Sequence, residues 1–132
     1  MLFIWMKETI VLIMESASPA PGEPVIGTFD RIIVSGVRHV LVLTERRLIL
    51  TEALTGTIRR EAEYSRIVLA NLGVNTLREP EISISFAMVS GEPETVEIYF
   101  VHLPAGQNVH AADKCMDLLK GKGVPVRRSA TM

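Results

Sequence analysis

Cysteine is almost absent from this chain: Cys115 stands alone, so no internal disulfide can form. A lone thiol fits a reducing compartment, and the expected location is cytoplasmic, with peripheral membrane association left open. Aromatic residues are scarce at 5%, and Trp5 is the only tryptophan. Neither sign of charge prevails, since the formal net charge is -1. Nucleic-acid binders normally carry a strong basic excess, so no nucleic acid is expected as a partner. Glycine-rich phosphate loops, CxxC pairs and Ser-His-Asp spacing are all lacking. These absences leave no catalytic residue, metal ligand set or cofactor to assign, and the chain is read as a non-enzyme. A long apolar run is missing too. Met1–Met14 is very apolar, but Lys7 and Glu8 split it, and neither half approaches the ~20 residues that span a bilayer.

What is present is ordinary globular material. The chain has 132 residues, 48% apolar and 22% charged, enough for one domain with a real core. Residues 1–15 form an apolar N-terminal segment. Its lysine lies inside the apolar stretch rather than before it, which argues against a secretory signal despite the weakly cleavage-like Ser16-Ala17-Ser18. An added strand or helix, at a subunit interface, fits better. Residues 16–22 are a linker, since two prolines and a glycine cannot sustain an element. The main domain runs over 23–121, and 122–132 is a tail, frayed and basic from residue 123.

Within the domain, Val25, Ile26, Phe29, Ile32 and Ile33 recur at helical spacing behind Pro24, which suits a first helical position. Ile32-Ile33-Val34 is strand-like and competes with that helix. From Val37 the period becomes two. Arg38–Leu43 and Leu48–Leu54 read as a hairpin around Thr44-Glu45-Arg46-Arg47, with Leu41 facing Leu50 and Leu43 facing Leu48. A three-residue turn at Thr55-Gly56-Thr57 then pairs Leu50 with Ala62, Leu48 with Tyr64 and Glu52 with Arg60. A two-residue turn would instead aim Glu61 and Glu63 at the core. Ile67–Leu72 is a further strand. Glu81–Met88 and Thr95–Leu103 alternate cleanly, and Phe86 is set opposite Ile98 and Ile84 opposite Phe100, with His102 on the same face opposite Ile82. Val109, Ala112, Cys115, Met116 and Leu119 form the buried stripe of a helix over about 105–120, with Gly121 as its C-cap.

The stretch Val40-Leu-Val-Leu-Thr-Glu-Arg-Arg-Leu-Ile-Leu50 resembles the "strand, Thr-x-x-Arg-Leu-Ile, strand" hairpin of bacterial pleckstrin-homology-like domains, the YokE-like and GRAM-like groups. Glu23-Pro-Val-Ile before it and Tyr64-Ser-Arg-Ile67 after it match the same pattern, over roughly residues 23 to 121. The resemblance implies a mainly β fold with α: a pleckstrin-homology-like antiparallel β-barrel or sandwich capped by one C-terminal helix. It implies a non-catalytic module that binds a protein, a peptide or an anionic head group through an open edge or loop rim. The tryptophan of the eukaryotic C-terminal helix and the phosphoinositide spacing are absent.

Arginine supplies ten of the fourteen cationic residues, in the pairs Arg46–Arg47, Arg59–Arg60 and Arg127–Arg128. Its planar fork suits anions, so Arg38, Arg46 and Arg47 are the candidate ligand-binding residues. The competing assignment gives Arg47 to Glu45 or Glu63. His102 reads as a hydrogen-bonded residue at the barrel end, Cys115 as a small core residue, and Glu61 and Glu63 as exposed on an edge strand. The alternative function is a structural module that forms homo-oligomers through residues 1–15.

Overall fold

The computed structural model describes residues 23–129. Val25–Val34 (β1), Val37–Thr44 (β2), Arg47–Glu52 (β3) and Ile58–Glu63 (β4) make one antiparallel half of the sheet. Ile67–Val74 (β5), Pro80–Phe86 (β6) and Glu94–Phe100 (β7) make the other. β1 joins the halves, pairing Ile32 with Phe100 and Ile33 with Tyr99. Helix α1 (Gln107–Gly121) and strand β8 (Val126–Arg128) complete the described chain. The strand order is β4-β3-β2-β1-β7-β6-β5-β8, so β4 and β8 are the edges among the described residues.

Alternation builds the core. Leu41 faces Leu50 and Leu43 faces Leu48 across β2 and β3, and all four are fully buried. Ile82, Ile84, Phe86, Val96, Ile98 and Phe100 continue that face, and Phe29 meets Phe100 edge-on at 6.2 Å. Cutting such a buried leucine to alanine costs about 2–5 kcal/mol. α1 packs Ala112, Cys115, Met116 and Leu119 onto the sheet. It approaches closely at Gly27, where a Cβ would stand 2.7 Å from Leu118 Cδ1.

The helix expected after Pro24 is a strand. β1 carries a bulge between Phe29 and Ile32, so its buried residues fall at Gly27, Phe29, Ile32 and Val34. One bulge in a period-two pattern stretches a spacing of two to three, which imitates a helix. The β-branched residues and pairing on both sides decide the outcome.

Two registers also differ from expectation. Leu48 faces Ala62 and Leu50 faces Arg60, because the β3–β4 connection is longer than three residues and carries its own bulge. Glu52 is therefore not opposite Arg60, and Tyr64 leaves the strand in a 3-10 turn, Tyr64–Arg66. In the β6–β7 hairpin Ile82 faces Ile98 and Ile84 faces Val96, a slip of four from the expected pairs. An even slip keeps every side chain on its face, so alternation alone cannot detect it. His102 consequently lies beyond β7, largely exposed, and bonds Glu79 rather than facing Ile82.

The helix end and the tail differ as well. Val109 is 48% exposed, and Asn108 is buried in its place. Gly121 is still helical, while Gly123 takes the left-handed conformation at φ 86°. Its N–H donates to the Lys120 carbonyl (3.0 Å) and that of Val124 to the Leu119 carbonyl (3.1 Å), the Schellman pattern. That turn sends the chain back along β5, so residues 124–129 are not frayed. Val124 is buried, and β8 pairs in parallel with Ala70, Asn71 and Leu72.

Candidate functional site

Four residues singled out by the sequence motif meet at the β2–β3 turn. The Thr44 hydroxyl accepts from the backbone N–H groups of Arg46 (3.1 Å) and Arg47 (3.0 Å), which fixes the turn. It donates to Glu23 Oε2 at 2.6 Å. The nearly buried Glu23 carboxylate also accepts from Arg47 Nε (2.9 Å) and Nη2 (3.1 Å), a bidentate pair. Tyr64 donates its hydroxyl to the Thr44 carbonyl at 2.6 Å. Burial, with Cys115 and Glu45 nearby, pushes the Tyr64 phenol up to about 12, so it keeps the proton it donates. Arg47 Nη1 further pairs with Glu61 on β4. The motif is thus a staple joining the start of the domain, the first hairpin and the end of β4.

The three candidate arginines do not form one site. The partners that Arg47 shows among the described residues are Glu23 and Glu61, where Glu45 or Glu63 was expected. Arg46 is exposed, and its guanidinium has no partner among the described residues. Arg38 lies at the other end of β2, roughly 20 Å away at ~3.3 Å per residue, donating to the Asp30 carbonyl at 3.0 Å. Of the remaining paired arginines, Arg59 is exposed and the other three have local partners. Arg60 pairs with Glu94 and lies 5.7 Å from the Phe86 ring centre. Arg127 donates to Asn71 at 3.1 Å, Arg128 to Asp113 at 2.6 Å, and Lys122 pairs with Glu45. Arg47, Arg60, Lys122 and Arg128 are thus each answered by a carboxylate.

A different surface stands open. β4 pairs with β3 on one side and, among the described residues, with no strand on the other. Beside that free edge runs a groove of about 400 Å³, with Ala62, Phe86 and Met88 as its apolar floor and Arg60 and Arg66 at its rim. The far wall is the segment after β6, tied by Ala87 N–H donating to the Arg66 carbonyl at 2.8 Å. Val89, on that wall, is 98% exposed. Arg60 Nε is buried there without a hydrogen-bond partner. Glu61 and Glu63 are exposed, as expected for an edge strand. Sequence reasoning missed this groove because its walls come from segments some twenty-five residues apart. The signal that was available was the charged strand Ile58–Glu63, whose alternation fits an edge.

Other candidate chemistry resolves into structure. Cys115 is fully buried, and burial pushes its thiol up to about 12, so it supplies no thiolate nucleophile. Buried His39 places Nδ1 2.8 Å from the Val37 carbonyl, while its Nε2 has no partner. His102 Nδ1 meets Glu79 at 3.1 Å, and Asn108 donates to the other Glu79 oxygen at 2.6 Å. Burial, and then Glu97, raise the Glu81 carboxyl above the usual carboxylate range. Among the described residues no cluster could hold a metal, and no helix is long and apolar enough to cross a membrane.

No family model matches this sequence, and no curated protein does. Solved structures do. The chain is similar to the Vps36 N-terminal PH domain, with 18% identity and a TM-score of 0.54 over 79% of this chain and 84% of that one. It is also similar to the C-terminal domain of an unknown protein from Leishmania infantum, with 14% identity and a TM-score of 0.52 over 87% and 98%. At such identities the likeness concerns fold alone, and the fold is pleckstrin-homology-like.

Proposed function

We infer that the protein is a non-catalytic interaction module that takes an extended segment of a partner protein along the free edge of β4. The observation that carries this is that β4 pairs, among the described residues, with β3 alone, beside a groove floored by Ala62, Phe86 and Met88. An unpaired edge offers a row of N–H and C=O groups. A segment laid there gains ladder bonds while alternate side chains enter the groove. The fold supports the reading, since pleckstrin-homology-like domains are generally non-catalytic interaction modules. The Glu23–Thr44–Arg47–Tyr64 staple supports a finer kinship with bacterial YokE-like and GRAM-like domains, working in the cytoplasm or against a membrane surface. An anionic head group is the weaker ligand, because Arg47 is already bound and Arg38 stands apart.

A photo-crosslinking residue at position 62 of the full chain tests this. It should capture a partner through an extended segment, whereas the same probe at position 109, on the outer face of α1, should not. Met88→Asp should abolish the capture. Equal capture from both positions, or capture that survives Met88→Asp, would rule the groove out.

A further inference from the structure

The groove beside β4 presents donors that its own walls do not answer. Arg60 pairs with the core residue Leu50, and Ala62 with Leu48, so both point to the groove side of the strand. Arg60 lays its guanidinium 5.7 Å from the centre of the Phe86 ring and gives Nη2 to Glu94. Its Nε is buried and meets no acceptor among the described residues. A buried donor in that state is unfavourable, so the site favours an acceptor brought from outside. Arg66 stands exposed at the rim, answered by a carbonyl rather than a carboxylate, in a long 3.4 Å contact with Ala87. Glu61 and Glu63 also border the groove, but alternation turns them to the other face of β4, and Glu61 is engaged by Arg47.

We propose that the partner segment taken up by β4 carries an acidic residue two positions from an apolar one. The carboxylate meets Arg60 and Arg66 while the apolar side chain covers Ala62, Phe86 and Met88. This rests on the reading of β4 as an acceptor edge and names the chemistry of its partner. The spacing follows from strand geometry. Side chains two apart on an added strand share a face and stand roughly 7 Å from each other, the interval from Arg60 to Ala62 on β4. Alternate side chains of one segment therefore meet the charged and the apolar parts of the groove. A basic residue in the acidic position would face two guanidinium groups, so the charges that draw an acidic segment turn a basic one away. An uncharged polar residue can satisfy Arg60 Nε but leaves both positive charges unanswered.

Three synthetic peptides titrated into the full chain test the proposal. Each is an extended run of threonine and valine with a central leucine, and carries aspartate, asparagine or lysine two positions away from it. Amide hydrogen exchange at Ile58–Glu63 reports occupancy of the edge. The aspartate peptide should bind roughly tenfold more tightly than the asparagine peptide, and the lysine peptide more weakly than either. Arg60→Met should abolish the aspartate preference. Arg66→Gln, an exposed change, should reduce that preference and leave the asparagine peptide's affinity unchanged. Protected β6 amides show that each variant is folded, and where Arg60→Met loosens them Arg66→Gln alone decides. Equal affinity for aspartate and asparagine with β4 protected, or tightest binding of lysine, would overturn the proposal and leave the acceptor edge standing. An aspartate preference that survives both variants would overturn it too, by placing the recognising charge elsewhere. If no peptide protects β4 at millimolar concentration, the acceptor edge fails together with the proposal.

Discussion

The outermost strands of the antiparallel run, β5 and β4, differ in what covers their outer sides. Along β5, β8 pairs with Ala70–Leu72, Ser129 N–H donates to the Leu72 carbonyl at 2.8 Å, and Arg128 reaches Asp113 on α1. Along the outer side of β4 no strand pairs among the described residues, and side chains alone tie it, through Arg47 with Glu61 and Arg60 with Glu94. Both edges carry polar side chains, so composition does not explain the difference. Direction does. The Schellman turn at Gly123 aims the chain back along β5, while the 3-10 turn at Tyr64–Arg66 carries it away from β4. Which edge stays available is thus decided at the end of a neighbouring element, by a few residues outside either strand.

Breaking the tied end of β4 should give the largest effect. Arg47→Ala leaves the buried Glu23 carboxylate without its bidentate partner, and stability should fall by about 3 kcal/mol in chemical denaturation. A loss below roughly 0.5 kcal/mol, the size of a surface pair, would contradict the staple. Making the two edges alike comes next. Ending the chain after Val124 removes the bonds between Ala70 N–H and the Pro125 carbonyl and between Ser129 N–H and the Leu72 carbonyl, at a cost of about 2 kcal/mol. Sedimentation should then detect more self-association than for the full chain, through the uncovered β5 edge.

Alkaline pH gives a smaller, confined effect on the two ends of the core. The folded state holds the Cys115 thiol and the Tyr64 phenol up at about 12, above ordinary values of 9.0 and 10.0. Each group retains its proton after the unfolded chain has lost it. Their contributions are complete below pH 9 and fall away as pH rises toward 12. Cys115→Ala and Tyr64→Phe should each flatten the decline in melting temperature over that range. Glu81 behaves in the same sense at acid pH, since its raised carboxyl loses stability as pH rises through its folded value. Glu81→Gln should therefore stabilise the protein at neutral pH more than at pH 3. The smallest expected effect is none. Replacing Arg38 and Arg46 by alanine should leave binding to anionic vesicles unchanged, and a clear loss would return those residues to the functional site.

The sequence made much of the fold legible because alternation reports which face a residue takes. The Leu41–Leu50 and Leu43–Leu48 pairs and the buried stripe from Ala112 to Leu119 were readable for that reason. Offset is another matter. The Phe86 hairpin kept its faces through a slip of four, and the bulge after Phe29 turned a strand into an apparent helix. The basic tail hid β8, because its apolar anchors are only Val124 and Val126 among arginines. For the site, Arg47 was legible as a motif residue but not as Glu23's partner, a bond across 24 positions. The groove was not legible at all, since only tertiary curling brings Ala62 beside Phe86 and Met88.

The central claim is that β4, rather than the arginines or the β5 edge, makes the contact. Chemical-shift mapping during titration with the segment captured at position 62 tests it most directly. The shifts should concentrate on Ile58–Glu63 and on residues 86–89. Shifts centred on Arg38 and Arg46, or on Ala70–Leu72, would contradict it.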